Sequence, residues 1–294
     1  MKTIAIFGQR VDRDARSYVE VFLEELERHE IVCHFFDTFI RENIGQMELP
    51  RNRQTWSTHE ELLAINPDAL FTLGGDGTIL RAVTFVRDSG IPILGINTGR
   101  LGFLANVARH ESKMAVNDLV NGNFTIEDRR LIDISVDNNC CPPLPFALNE
   151  VTVARKDSTS MVTVHTWINN EFLSSYWADG IIIATPTGST GYSLSCGGPI
   201  IMPGSETFVI TPVSPHNLNV RPFVIPNHSE IKLRIEAREP MFLVSLDSRI
   251  HSMPIETELH IKKAPFNVRI IQTAQQRFTK TLREKLYWGK DIRN

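Results

Sequence analysis

The chain has 294 residues, of which 42% are hydrophobic and 22% charged, with a formal net charge of -3. This is enough apolar material for one large domain or two ordinary ones, and the balance excludes long disordered stretches. No basic block stands out, which argues against a nucleic-acid partner, because phosphate-tracking surfaces carry an excess of Lys and Arg. From the N-terminus, Ile4 to Phe7 predicts a buried strand ending at Gly8, followed by a helix with Tyr18, Phe22 and Leu26 on one face. Ile31 to Phe36 reads as a second strand. Arg41 to Trp56 has no clear period and many polar groups, the pattern of a loop or mobile insertion. Asn66-Pro67-Asp68 is a turn, and the apolar run Ala69 to Leu73 is a strand running into Gly74. Ile79, Val83 and Val86 then fall at helical spacing up to Ser89-Gly90, and Ile91 to Ile96 forms another short strand. Such alternation predicts a parallel sheet covered on both faces. Ligands of these sheets collect beyond the carboxyl ends of the strands, the edge from which the loops at Gly74 and Thr98 leave.

The pattern changes near Asn121-Gly122-Asn123. Ile132, Ile134 and Val136 alternate with polar residues, as do Val162 and Val164, and again Ile231, Leu233 and Ile235. Period-two alternation of this kind marks half-buried antiparallel strands. Near the end, Phe278, Leu282 and Leu286 share a helical face, with Gly289 as a stop signal. The expected fold is therefore a Rossmann-like parallel α/β domain (1–122 with 272–294) and an antiparallel β domain (123–271), with the closing helix packed back on the first domain. Cys33, Cys140, Cys141 and Cys196 form no CxxC pair, so reduced thiols are expected rather than a zinc site or disulfides. The start is too short for a signal peptide, and no apolar run reaches the length of a membrane span. A cytoplasmic protein with no membrane partner is the expectation.

Two segments carry chemistry. Gly74-Gly75-Asp76-Gly77-Thr78 puts a carboxylate between glycines where a strand turns into a helix. Bare backbone there lets phosphates and a sugar approach, and the helix N-terminus favours negative charge. Asp76 can then orient or deprotonate an attacking hydroxyl, or hold a metal ion that bridges phosphates. A tight turn with Asp as a local cap is the plainer reading and stays open. The second segment, Asp179 to Ser195, reads DGIIIATPTGSTGYSLS. A three-isoleucine strand feeds a loop crowded with hydroxyls, suited to a purine edge or a phosphate, and Tyr192 adds a stacking face. An ordinary Ser/Thr-rich turn is the alternative. Asn149-Glu150 lies in a β-like stretch, where a regular strand lets only one of the two face a pocket. The histidines form no metal constellation. His29 and His59 read as solvated, and no GxSxG elbow supports a hydrolase.

With these motifs in place, the chain resembles the NAD kinase family. GGDGT at Gly74–Thr78, GINTGRLGFLA at Gly95–Ala105, Asn149-Glu150, ADG at Ala178–Gly180 and TPTGSTGYSLSCGGPI at Thr185–Ile200 occur in the family's order. Pro215-His216-Asn217-Leu218 with Arg221-Pro222 resembles its HTLxxRP segment. GGDG alone also resembles lipid kinases and phosphofructokinases. The resemblance implies transfer of the γ-phosphoryl of ATP to the 2′-hydroxyl of the adenosine ribose of NAD, giving NADP. It implies Mg²⁺ or another divalent cation bound through ATP phosphates rather than by protein ligands alone. It also implies a homodimer or homotetramer in which a neighbouring subunit completes the pocket. Carried over, Asp76 is the base or hydroxyl orienter with Gly77 beside it, Phe103 covers the adenine, and Asn149 and Glu150 bind the adenosine end. Thr190, Gly191, Tyr192, Ser193 and Ser195 line the dinucleotide pocket. Asp179 holds a ribose hydroxyl, Trp177 lies at the nicotinamide end, and Arg81 is a phosphate contact. Two departures stand out: Gly191 for the commoner Ala, and Asn217 for Thr. The competing readings are a non-catalytic dinucleotide sensor and a lipid or sugar kinase that shares GGDG.

Overall fold

The structure is a computed structural model that describes residues 1–50, 53–137, 140–156 and 160–288. The chain divides into two compact units, Met1–Asp128 with Val268–Asn294, and Arg129–Asn267.

The first unit opens with β1 (Thr3–Gly8), α1 (Arg16–Arg28), β2 (Val32–Phe36), α2 (Asp37–Asn43) and β3 (Gln54–Trp56). It continues with α3 (His59–Ile65), β4 (Ala69–Leu73), α4 (Asp76–Val86), β5 (Ile93–Asn97), β6 (Val107–Ala108) and α5 (Ser112–Val120). The parallel strands lie in the order β5-β4-β1-β2-β3. Order reverses between β1 and β4, because the chain builds outward from β1 on one side and returns to β1 on the other. The carboxyl ends of those two strands meet at Gly8 and Leu73, which are paired in register. This is the topological switch point, where open α/β sheets leave a crevice for ligands. The predicted strands run apolar on both faces because helices cover the sheet: β1, β4 and β5 are buried almost throughout.

Two local expectations are corrected. The sequence places Arg41 to Trp56 in a loop, but the structure forms α2 and β3 there. Trp56 is the reason: it is 1% exposed, its indole N–H donates to the His34 carbonyl, and its ring packs with Phe7, Phe36 and Phe85. A single buried tryptophan of that size outweighs the polar residues before it. On α1, Phe22 and Leu26 are buried with Val19 and Leu23, while Tyr18 lies at the exposed rim.

The second unit begins in β7 (Phe124–Val136), which enters from the first, and continues through β8 (Phe146–Ala147), β9 (Glu150–Arg155), β10 (Val162–Ile168), β11 (Glu171–Ala178) and β12 (Gly180–Ala184). After the four-residue α6 (Tyr192–Ser195) come β13 (Thr207–Val213), β14 (Phe223–Pro226), β15 (Ile231–Glu236), β16 (Met241–Leu246) and β17 (Arg249–Pro254). Strands β14-β13-β12-β9-β16-β17 form one antiparallel sheet, and β11-β10-β15 pair with the start of β18 (Leu259–Thr273) in another. Val151, Val153, Ile181 and Ile183 of the first share a core with Val162, Val164, Leu233 and Ile235 of the second. The opposite face of β12 is buried too, with Ile182 and Ala184 against Val209. Burial on both faces accounts for the unbroken isoleucine run.

Strand β18 ends in the first unit, where Ile270 pairs in parallel with Ile93, and α7 (Phe278–Leu286) follows. The closing helix thus belongs to the first unit, as the sequence predicts. Its fully buried residue is Thr281, whereas Leu286 is exposed. Gly289, the expected stop, lies outside the described residues. No helix among the described residues is long and apolar enough to cross a membrane.

Candidate active site

In the first unit, β4 runs into Gly74 at the switch point. Gly74 has φ +155°, and a Cβ there would lie 2.1 Å from the Thr78 hydroxyl, so the turn itself demands glycine. Gly75 and Gly77 differ. A Cβ on either would meet open space, and neither has a positive φ. Nothing among the described residues requires these two to be bare, and the space beside them leaves their backbone open to a ligand. Asp76 between them is the first residue of α4, whose leading N–H groups lack helical partners.

The Asp76 carboxylate is fixed from the loop after β5. One oxygen, Oδ1, accepts the backbone N–H groups of Leu104 (3.0 Å) and Ala105 (2.9 Å), and Oδ2 accepts that of Phe103 (2.9 Å). The loop closes on itself through Asn97 Nδ2 donating to the Ala105 carbonyl and through the Gly99 N–H donating to Asn97 Oδ1. Gly102 is forced by the approach: a Cβ there would lie 1.8 Å from Asp76 Oδ1. The GGDGT and GINTGRLGFLA motifs are therefore one structure, an acid held in a cradle of three amides. The Phe103 ring rests 6.1 Å from Phe278 of α7, and the Lys285 ammonium sits 3.9 Å from Asp76 Oδ2 and 4.9 Å from the Phe103 ring centre. Sequence reasoning missed Lys285 because nothing local to α7 links it to Asp76. Arg81 is not part of this cluster. Five residues along α4 it points about 140° round the helix from Asp76, and its guanidinium lies over the Phe7 ring.

In the second unit, Asn149 and Glu150 converge with Gly191. A Cβ on Gly191 would lie 3.0 Å from Glu150 Oε2 and 3.5 Å from Asn149 Nδ2, so both side chains face the same spot. Regular strand geometry forbids this, and the strand is not regular there: β9 begins only at Glu150. The cause is Asp247, in the β16–β17 hairpin, whose carboxylate accepts the N–H groups of Leu148, Asn149 and Glu150 and bends the chain around itself. Asn149 Oδ1 and Glu150 Oε2 are both buried without a hydrogen-bond partner. Orphaned buried acceptors are costly unless something else reaches them. Burial first, and then the Asp247 charge, push the Glu150 carboxyl up to about 8, so at neutral pH it carries a proton that it can donate. Burial likewise raises Asp247 despite its three amide partners.

The hydroxyl loop is built differently from the expectation. Thr185 donates to the Leu148 carbonyl, Ser189 to the Pro186 carbonyl, and Thr190 to the Thr187 carbonyl (3.1 Å). Ser193 is fully buried, and its hydroxyl bonds Thr211 at 2.8 Å, so it braces the loop rather than lining a pocket. Tyr192 and Ser195 of the same turn are exposed, and Gly191 presents bare backbone. Gly188 is required by contact, since a Cβ there would lie 2.0 Å from the Asn149 carbonyl oxygen. Asp179 pairs with Arg155 (2.8 Å), and Trp177, 46% exposed, packs against His216 with ring centres 4.3 Å apart and planes tilted by 42°.

The histidines need two corrections. His29 faces Asn117 and Glu25, and His59 bonds the Phe85 carbonyl, so neither is merely solvated. His260 lies within ion-pair distance of Asp137 and Glu258, a cluster that the sequence did not reveal. Lys232 already pairs with that Glu258, and of the three only Asp137 is exposed, Glu258 and His260 being half-buried. A cleft of about 670 Å³ in the first unit is walled by Glu20, Glu24, Glu27, Glu30 and Glu48, a charge that repels phosphates, so it is not a nucleotide site. None of the four cysteines is in a disulfide.

The ATP-NAD kinase N-terminal domain matches residues 9–124, and the ATP-NAD kinase C-terminal domain matches residues 148–273. The chain belongs to the ATP-NAD kinase family. The NAD kinase of Flavobacterium johnsoniae is 45% identical over 99% of both chains, and that of Bacteroides fragilis 41% identical over 98% of this chain and 99% of its own. The fold matches a crystal structure of yeast NADH kinase complexed with NADH, with a TM-score of 0.88 at 22% identity, covering 99% of this chain and 89% of that one. It also matches an NAD kinase from Archaeoglobus fulgidus in complex with ATP, with a TM-score of 0.76 at 26% identity, covering 97% and 98%. Family membership removes the lipid- or sugar-kinase alternative, and the protein is a phosphotransferase of the NAD kinase type.

Proposed function

We propose that Asp76 is the group that orients and deprotonates the 2′-hydroxyl of the adenosine ribose of NAD as the γ-phosphoryl of ATP arrives, giving NADP. One observation carries this role: an acid at a helix N-terminus, at the switch point, between two glycines whose bareness nothing among the described residues explains. Phosphoryl transfer asks the protein mainly for positioning and electrostatic stabilisation. The three-amide cradle supplies the positioning, because it fixes the carboxylate before the substrate binds. A carboxylate in hydrogen-bond reach of the hydroxyl contributes about 10²–10⁴-fold in rate.

In the same reading, Asn149 and Glu150 bind the adenosine end through their unpartnered acceptor oxygens and the Glu150 proton. Gly77 leaves room for the ribose and Phe103 covers the adenine. Thr190, Gly191, Tyr192 and Ser195 line the dinucleotide, while Ser193 holds their loop in place. Asp179 meets a ribose hydroxyl and Trp177 the nicotinamide end. Their exposure fits a site completed by a second copy, in a homodimer or homotetramer. The donors around Asp76 are one carboxylate and backbone amides, with both carboxylate oxygens already bonded, which does not make an all-protein cage for Mg²⁺. The cation therefore belongs to the triphosphate, whose charge it neutralises. Cysteines outside disulfides fit a cytoplasmic setting.

The test supplies ATP, Mg²⁺ and NAD and detects product with an NADP-specific dehydrogenase. The parent turns over, and Asp76→Asn loses about 10²–10⁴-fold in kcat and binds NAD less tightly, because an amide NH₂ then faces the Phe103 N–H. Near-normal turnover by that variant removes Asp76 from this role. Saturable NAD binding by the parent with no product leaves the non-catalytic sensor.

A further inference from the structure

We infer that Lys285, on the closing helix α7, is a second catalytic residue of this reaction, the cation that receives the transferring phosphoryl group. The inference rests on the role proposed for Asp76. Its ground is the geometry of the first unit. The Lys285 ammonium stands 3.9 Å from Asp76 Oδ2 and 4.9 Å above the Phe103 ring. At 3.9 Å it makes no hydrogen bond to the carboxylate, so its donors are not committed there. The carboxylate in turn does not depend on it for its position, since three amides hold it, and Oδ2, which accepts one of them, keeps a lone pair for the substrate hydroxyl. Both side chains are partly exposed, 35% for the lysine and 30% for the aspartate, and ion pairs of that kind contribute only about 0–1 kcal/mol to stability. A structural purpose therefore accounts poorly for this lysine. Its position on the open flank of the acid accounts for it well.

The chemistry supplies the purpose. The acceptor oxygen forms its bond to phosphorus, and the bridging P–O bond breaks with its electron pair leaving on ADP. The hydroxyl proton passes to the Asp76 carboxylate. Negative charge on the three equatorial oxygens of the transferring group thus arrives beside an acid. A cation within about 4 Å of that acid is placed to meet those oxygens. Lys285 donates hydrogen bonds and transfers no proton. The Phe103 ring beneath the ammonium holds it in reach, a cation–π contact that leaves the ammonium's other side open.

The test compares Lys285→Met, which keeps the length of the stem, with Lys285→Arg and with Asp76→Asn as a parallel control. Lys285→Met is expected to lower kcat about 10²–10³-fold, the range for one lost charge-stabilising donor, with the KM for NAD and the melting temperature nearly unchanged. Lys285→Arg should recover part of the rate, and ethylamine added to Lys285→Ala should recover part of it as well. A kcat for Lys285→Met close to the parent's, with Asp76→Asn inactive, reduces the lysine to a surface ion pair. A raised KM with unchanged kcat overturns the inference too, because it makes Lys285 a binding contact for the ground state. If Lys285→Met does not fold, the ethylamine experiment decides: no rescue at any concentration sinks the proposal. Near-normal turnover by Asp76→Asn overturns both the role of the acid and that of the lysine, whereas an inactive Asp76→Asn isolates a failure to Lys285 alone.

Discussion

Replacing Glu150 by Gln should make the protein more stable in alkali, and by an amount that grows with pH. Glu150 is 8% exposed, one of its oxygens has no partner, and burial followed by the Asp247 charge raises its carboxyl from the ordinary 4.5 to about 8. The folded protein therefore holds this proton more tightly than the unfolded chain does. That preference stabilises the fold fully below about 4.5, is lost as pH rises towards 8, and is gone above it. A rise of this size corresponds to at most ~5 kcal/mol. Gln keeps the shape and the hydrogen-bonding end without a titrating proton. Urea unfolding at intervals between pH 5 and pH 9 should show the parent losing up to ~1.4 kcal/mol per pH unit across that window, with a much flatter line for Glu150→Gln. Asp247 is raised in the same direction by its burial. Asp68 and Glu206 are lowered by their hydrogen bonds and titrate below the window. A stability difference between parent and variant that stays constant from pH 5 to pH 9 would refute the buried, proton-holding state of Glu150.

Gly77→Ala separates the needs of the fold from those of the ligand. A Cβ there meets open space in the first turn of α4, so stability should hold or rise by about 0.5–1 kcal/mol, while the KM for substrate rises about tenfold or more. An unchanged KM shows that the ligand does not come close to that backbone. Gly188→Ala is the opposite case. Its Cβ would lie 2.0 Å from the Asn149 carbonyl, so thermal denaturation should report a loss of about 3 kcal/mol or more, and a parental melting curve would contradict that contact.

The parts legible in the sequence are those whose cause is local. Unbroken apolar runs mark β1, β4 and β5, and the glycine-flanked acid at the end of β4 marks the switch point, because strand, turn and helix start lie within a few residues. The illegible parts have distant causes. The Asn149-Glu150 pair faces one spot only because Asp247, ninety-nine positions after Leu148, bends the chain there. The order of β3 comes from Trp56 meeting Phe7 and Phe85. The hydroxyl loop was misleading for a related reason: residue type shows that Ser193 can hydrogen-bond but not that Thr211 lies behind it. Lys285 escapes any local pattern, since α7 reaches Asp76 only in the folded unit.

The three-amide cradle around Asp76 has an evolutionary consequence. Ordinarily a lineage can surrender chemistry and keep recognition by exchanging one acid for a neutral residue. Here that exchange also releases the segment Phe103–Ala105, so the cover over the bound molecule would come loose along with the chemistry. Drift from catalyst to passive receptor is thus not a single step on this scaffold. A descendant that only senses its ligand would have to rebuild the loop first, and the rebuilt loop would be the mark of its history.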